Sequence, residues 1–158
     1  MATKILFSPR QPESIMEIVR GLTPPGFDLV PVDPGTPAFY EAAADAEYYM
    51  GLARQMGGEF FRAAPNLKLV QLLSAGYDRV DVEAARKAKV PVANNGGANA
   101  IAVAEHTLML MLAVLKRVVK FHNDIVANKW RVGGPADQPV YELSGRTVGI
   151  IGRMEHVP

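Results

Sequence analysis

Apolar and polar positions alternate along this chain in blocks rather than singly. Ile5-Leu6-Phe7 is a continuous apolar run, which suits a strand covered on both faces, so Lys4 to Ser8 is expected as a first, buried strand of a parallel sheet. Pro12 then opens a helix whose apolar side is Ile15, Met16, Ile18 and Val19, and Gly21 with Thr23-Pro24-Pro25-Gly26 ends it. A second strand is expected from Phe27 to Val32, closed by Asp33-Pro34-Gly35, then a short helical turn over Pro37 to Ala46. A third strand covers Glu47 to Gly51, a helix Gly58 to Ala64, a fourth strand Leu67 to Leu73, a helix Val82 to Ala88 and a fifth strand Val90 to Asn94. That rhythm builds an open, mostly parallel, flavodoxin-like α/β sheet with helices on both faces, in which ligands sit outside the carboxyl ends of the strands.

The pattern changes after Asn95. Gly96 to Arg117 reads as one long helix: Asn99 is placed to cap it through its side-chain oxygen, the interior is Ala, Leu and Met without Gly or Pro, and Lys116, Arg117 and Lys120 suit the negative end of its dipole. Ala104, Leu108, Met111, Leu112, Leu115, Val118 and Val119 keep the spacing of a buried face, yet Met109, Leu110, Ala113 and Val114 fill the opposite side. A helix without a polar face is expected to be wedged between two domains or two subunits. Phe121 to Trp130 continues helical or bends, Val132 to Pro139 is a loop by its Gly and Pro content, and Thr147 to Ile151 is a further buried strand. The domain boundary falls near Asn95 to Asn99, dividing the chain into 1–97 and 98–158.

Three blocks carry a resemblance. Leu73-Ser74-Ala75-Gly76-Tyr77-Asp78-Arg79-Val80-Asp81, then Val92-Ala93-Asn94-Asn95-Gly96-Gly97-Ala98-Asn99 with Ala102 to Thr107, then Glu142-Leu143-Ser144-Gly145-Arg146-Thr147-Val148-Gly149-Ile150-Ile151-Gly152 stand in the order and spacing of the D-2-hydroxyacid dehydrogenases. The chain resembles that family from about Pro65 to Gly152. The resemblance implies an NAD(P)-dependent oxidoreductase acting on the CH–OH group of 2-hydroxy acids, or reducing 2-keto acids. It implies that Ser74, Ala75 and Gly76 hold the substrate carboxylate, that Asn94 to Gly97 is the interdomain hinge, and that Val103, Thr107 and Gly152 lie on the side of the cofactor, NAD or NADP. Small residues after a strand let backbone N–H groups point into the cleft, which is how a carboxylate is bound there. Read without the family, the same residues make an ordinary strand-to-helix turn with Asp78 or Asp81 as a helix cap, a Gly-rich turn, and two packing residues.

The family's Gly-x-Gly-x-x-Gly is not completed: Met154 and Val157 stand where the second and third glycines belong. The family's hinge usually has proline where Gly96 stands. The expectation is a truncated product comprising the substrate-side domain, a long connecting helix and the first strand of an incomplete Rossmann domain. Such a chain alone is expected neither to bind NAD(H) tightly nor to transfer hydride, because the family's catalytic Arg, Glu and His come later; no catalytic residue is assigned. Glu105 and His106 are neighbours on a helix, about 100° apart, and so cannot act as a pair on one atom.

Composition narrows the alternatives. With 158 residues, 49% of them apolar, the chain has enough material for a normal core. Its 17 basic and 16 acidic residues are scattered, without the basic stripe of a nucleic-acid binder. Cysteine is absent and the three histidines lack ligand spacing, so no metal site is expected. The apolar run Leu108 to Leu115 is far short of the roughly 20 residues of a membrane span, and the N-terminal apolar run is too short for a signal segment. A cytoplasmic protein is expected, partnered by a small 2-keto or 2-hydroxy acid and by a second copy of itself through the 99–119 helix. Arg10, just past the first strand, is read as a solvated surface cation. A stand-alone flavodoxin-like binding or regulatory module is the competing class. It is disfavoured because a flavin site wants a Ser/Thr-rich loop where Ser8-Pro9-Arg10-Gln11-Pro12 stands, and a phospho-receiver wants Asp where Met50-Gly51 stands.

Overall fold

Five segments take up strand conformation: Thr3–Ser8 (β1), Phe27–Pro31 (β2), Tyr48–Gly51 (β3), Leu69–Leu72 (β4) and Val92–Ala93 (β5). Every pairing among them is parallel, in the order β2-β1-β3-β4-β5. The computed structural model describes residues 2–130 and 139–151. It divides into two units, Met1–Ala98, which contains this sheet, and Asn99–Pro158.

Helices Glu13–Leu22 (α1), Pro37–Ala43 (α2), Gly58–Ala63 (α3) and Val82–Ala88 (α4) connect the strands. Alternation along the strands assigns the faces. Leu6, Tyr49, Val70 and Leu72 enter one core cluster with Phe39 and Ala43 of α2, Phe60 and Phe61 of α3 and Ala85 of α4. Rings bind this core: Phe39 and Tyr49 each lie 5.5 Å from Phe60 between centroids. The intervening residues Ile5, Phe7 and Met50 line a cavity of about 540 Å³ with Ile15 and Val19 of α1. α1 buries Met16 and leaves Ile15 and Ile18 exposed, so it covers that second face incompletely.

Local chemistry explains the ends. Thr36 Oγ1 accepts from Phe39 N at 3.2 Å ahead of Pro37, and Asp81 Oδ1 accepts from Ala84 N at 2.9 Å, capping α2 and α4. α1 runs through Gly21 rather than stopping there, and closes when Thr23 donates to Val19 O and Arg20 O at 2.8 and 3.1 Å. β3 must end in glycine for a steric reason: a Cβ on Gly51 would lie 1.7 Å from the carbonyl oxygen of Ser8 on β1.

The second unit contains Ala100–Leu115 (α5) and Val118–Val126 (α6). Three expectations are corrected here. Asn99 stands at the N-cap but its side chain makes no capping bond, because its backbone (φ −112°, ψ 15°) is not the extended geometry that aims the side chain at the first free amides. The long helix does not run through Arg117, whose left-handed backbone (φ 51°) interrupts the ladder, while the Leu115 carbonyl freed at the helix end accepts from Tyr141 N at 3.0 Å. Thr147 to Ile151 is neither buried nor a strand: no neighbouring strand offers it hydrogen bonds among the described residues, and Ile150 is 85% exposed. No residue of α5 is buried, the proposed inner face included. The loop expected over 132–139 falls outside the described residues except for Pro139, and so do Gly152, Met154 and Val157. Among the described residues no helix is long and apolar enough to cross a membrane.

Candidate functional site

The ladder outlasts β4 by one bond, Leu73 N to Gly51 O at 2.8 Å, and the chain then turns at the carboxyl edge of the sheet. The turn is held through its carbonyl groups. Asn95 N donates to Ser74 O at 3.0 Å, Asn94 Nδ2 to Ala75 O at 2.8 Å, and Ser74 Oγ to Gly76 O at 2.9 Å. The N–H groups of the same three residues donate to no acceptor among the described residues. Buried polar backbone groups are almost always paired, but Ala75 and Gly76 are exposed, so their amides are available to water or to an anion without cost to the fold. Ser74, Ala75 and Gly76 thus lie together in one turn whose N–H groups have no acceptor among the described residues. Asn94, read as hinge, is also a brace for this loop.

A cavity of about 270 Å³ opens here, lined by Leu52, Ala53, Arg54, Ser74, Gly76, Asp78 and Arg79. Its opposite wall, residues 52–54, is fixed from below by Tyr49, whose hydroxyl donates to Leu52 O at 2.6 Å, with Ser8 O at 3.2 Å sharing the proton. Burial pushes the Tyr49 phenol up to about 12, against the lowering effect of the Arg54 charge. At neutral pH Tyr49 is thus an uncharged strut. The Ser8 hydroxyl beside it is buried without a partner among the described residues.

The remaining candidates lie elsewhere. Val103 and Thr107 sit on α5 in the second unit, where Thr107 Oγ1 donates to Val103 O at 2.7 Å. That is an intrahelical bond, and it engages the one hydroxyl the pair could offer. A dinucleotide needs backbone approach at a glycine turn that opens a helix from a sheet. Thr147 to Ile151 lie outside any sheet, and Gly152, the remaining cofactor-side candidate, lies outside the described residues. Glu105 and His106 are exposed on α5, and Arg10 is exposed beyond β1, where its charge joins Arg20 in holding the Glu13 carboxyl below its ordinary range. Among the described residues no three His, Asp or Glu side chains are grouped to hold a metal ion.

Residues 10–156 match the model of the D-isomer specific 2-hydroxyacid dehydrogenase catalytic domain. The chain belongs to that family. Among curated relatives, the chloroplastic/mitochondrial formate dehydrogenase of Arabidopsis thaliana is 37% identical over 94 residues, 60% of this chain and 24% of the relative. A glyoxylate reductase of Pyrococcus furiosus is 35% identical over 105 residues, 64% of this chain and 31% of the relative. The chain therefore spans about a quarter to a third of the length of those relatives. The fold is shared with the NAD-dependent formate dehydrogenase of Staphylococcus aureus, solved with NAD, at a TM-score of 0.66 and 21% identity, covering 82% of this chain and 43% of that one.

Proposed function

We propose that this chain supplies the substrate-binding side of an NAD(P)-dependent oxidoreductase of 2-hydroxy and 2-keto acids. The observation that carries this reading is the Ser74-Ala75-Gly76 turn, with its carbonyls tied back and its three N–H groups unengaged at the carboxyl edge of a parallel sheet. Such donors bind and orient a carboxylate, setting C1 of the acid against the loop and presenting C2 to the cleft. Hydride transfer at C2 is the chemistry a nicotinamide supplies to enzymes of this class. This chain's own part is to hold the acid: Asn94 fixes the loop, and Tyr49 fixes the facing wall.

The reading includes three further elements. Residues 1–97 act as the substrate domain and 98–158 as the connecting helix and the start of a cofactor domain. The 158-residue chain by itself neither binds NAD(H) tightly nor turns over a keto acid. Two copies associate through residues 99–119, where Leu108, Met109, Leu110, Leu112 and Val114 of α5 are all exposed in a single chain. Calorimetry with NADH and a glyoxylate reduction assay test the second element, with micromolar binding or turnover overturning it. Saturation-transfer NMR with glyoxylate tests the first. Transfer that is lost when Asn94 is replaced by Ala supports it, and no transfer at millimolar concentration refutes it.

A further inference from the structure

Asn95-Gly96 is the one Asn-Gly pair in the sequence, and it follows β5 at the edge where the Ser74 to Gly76 turn lies. An asparagine side chain is attacked by the backbone nitrogen of the next residue where three conditions meet: its amide is unengaged, that nitrogen's N–H is unengaged, and no Cβ on the following residue crowds the approach. Asn95 and Gly96 are both exposed and lie outside helix and strand. Among the described residues the Asn95 side chain makes no hydrogen bond, and the Gly96 N–H donates to no acceptor. The other five asparagines each fail a condition. Asn66 and Asn94 donate through Nδ2 to Ala44 O and Ala75 O, at 3.1 and 2.8 Å. Asn99 and Asn123 are followed by Ala100 and Asp124 of α5 and α6, and Asn128 by Lys129, whose N–H donates to Asp124 O at 2.7 Å.

We propose that Asn95 is a site of spontaneous deamidation, and that its product, a carboxylate beside the Ser74 to Gly76 turn, weakens the binding of the substrate acid. The second half rests on the reading that those amides hold the C1 carboxylate. The Gly96 nitrogen gives its proton to solvent base and bonds to Asn95 Cγ, and the Cγ–Nδ2 bond breaks to release ammonia, leaving a five-membered imide. Water then opens the ring. Attack at Cγ restores the ordinary backbone as aspartate, and attack at the Asn95 main-chain carbonyl gives isoaspartate, whose chain runs through Cβ and Cγ; neither route gains or loses electrons. Both products carry one new negative charge at residue 95. The N–H of that residue donates to Ser74 O at 3.0 Å, the oxygen of the same peptide group whose nitrogen is the Ala75 donor. A negative charge there opposes an anion held by the turn. Isoaspartate also lengthens the backbone by one carbon directly after that hydrogen bond, which slackens the anchor of the turn.

The test incubates the full 158-residue chain in mildly alkaline buffer and reads residue 95 by peptide mapping with mass spectrometry and by labelling with an isoaspartate-specific methyltransferase. Deamidation is expected at Asn95 ahead of every other asparagine, with isoaspartate the larger product. Gly96→Ala is the control: its Cβ would meet nothing nearer than Asn94 Oδ1 at 3.8 Å and the backbone there is not left-handed, so the fold is kept while attack slows about tenfold. Titration of the Ser74, Ala75 and Gly76 amide signals with glyoxylate, before and after incubation, reads the consequence. The aged parent is expected to bind about threefold to fivefold more weakly, the scale of a surface charge pair, while Gly96→Ala keeps its affinity through the same incubation. Asn95→Asp should show the charge part of that loss without incubation. An Asn95 that stays intact, with the urea-unfolded chain as the reference for incubation time, overturns the site. Deamidated chain with unchanged glyoxylate affinity overturns the consequence and leaves the site standing. Absence of any glyoxylate shift at these amides in the fresh chain overturns the loop assignment, whatever happens at Asn95.

Discussion

Replacing Gly51 with alanine tests how the strand edge beneath the site is built. The added Cβ would sit 1.7 Å from the Ser8 carbonyl oxygen and 2.7 Å from its carbon. Real Cβ atoms stay beyond 3.0 Å from such neighbours, so β1 and β3 must part by at least about 1.3 Å at this pair. Parting them breaks the Leu52 N to Ser8 O bond of 2.9 Å. The Leu52 N–H stripped of its acceptor costs about 1–3 kcal/mol, and overpacking adds about 1–3 kcal/mol, so about 4 kcal/mol is expected in all. That is a large part of the about 5–15 kcal/mol that holds a typical domain together. With a urea dependence of about 2 kcal/mol per molar, the unfolding midpoint should fall by about 2 M. Gly21→Ala is the control: a Cβ there meets nothing within 4 Å and the site lies inside α1, so the same change should stabilise by about 0.5 kcal/mol. A Gly51→Ala chain within about 0.5 kcal/mol of the parent, with the urea slope unchanged, would refute the reasoning.

Other outcomes follow from the same contacts. Asn94→Ala removes the 2.8 Å bond to Ala75 O and should weaken glyoxylate binding about fivefold, with faster amide exchange at Ala75 and Gly76; unchanged exchange would count against the brace. Tyr49 is neutral when folded and its phenol is raised from 10.0 to about 12, so its contribution is complete below pH 10 and is lost as pH rises from 10 toward 12. The loss amounts to about 3 kcal/mol, absent in Tyr49→Phe, and alkaline denaturation of the two proteins measures it. Thr107→Val, which removes only an intrahelical bond on an exposed surface, should change stability by less than about 0.5 kcal/mol in thermal unfolding. Leu110→Glu should convert dimer to monomer in sedimentation at about 20 µM, where an association of about −6 kcal/mol becomes visible, and a parent chain already monomeric there contradicts the dimer.

The sheet was legible because parallel strands announce themselves as short apolar runs between breakers, and α4 follows Asp81 at the residues expected of it. The strand ends were less so. β4 and β5 are shorter than their apolar runs, Leu67 to Leu73 and Val90 to Asn94, since pairing partners rather than composition decide where a ladder stops. Arg117 illustrates a different loss: nothing in an arginine signals a left-handed backbone, a conformation that glycine or asparagine would have advertised. Ile150 and Ile151 show that an apolar run is not sufficient for a strand when no neighbouring strand is beside it. The Ser74 to Gly76 turn was legible as a motif. Its brace was not, because Asn94 and Ala75 are 19 residues apart and meet only through the pairing of β4 with β5.

The central claim is that the Ser74 to Gly76 amides are the carboxylate site, and a site-resolved ¹⁵N–¹H titration of the chain with glyoxylate tests it most directly. The account predicts downfield proton shifts confined to Ser74, Ala75, Gly76 and their neighbours, saturating in the millimolar range, and reduced in Asn94→Ala. Shifts centred on other residues, or no shift at these three amides, would contradict it.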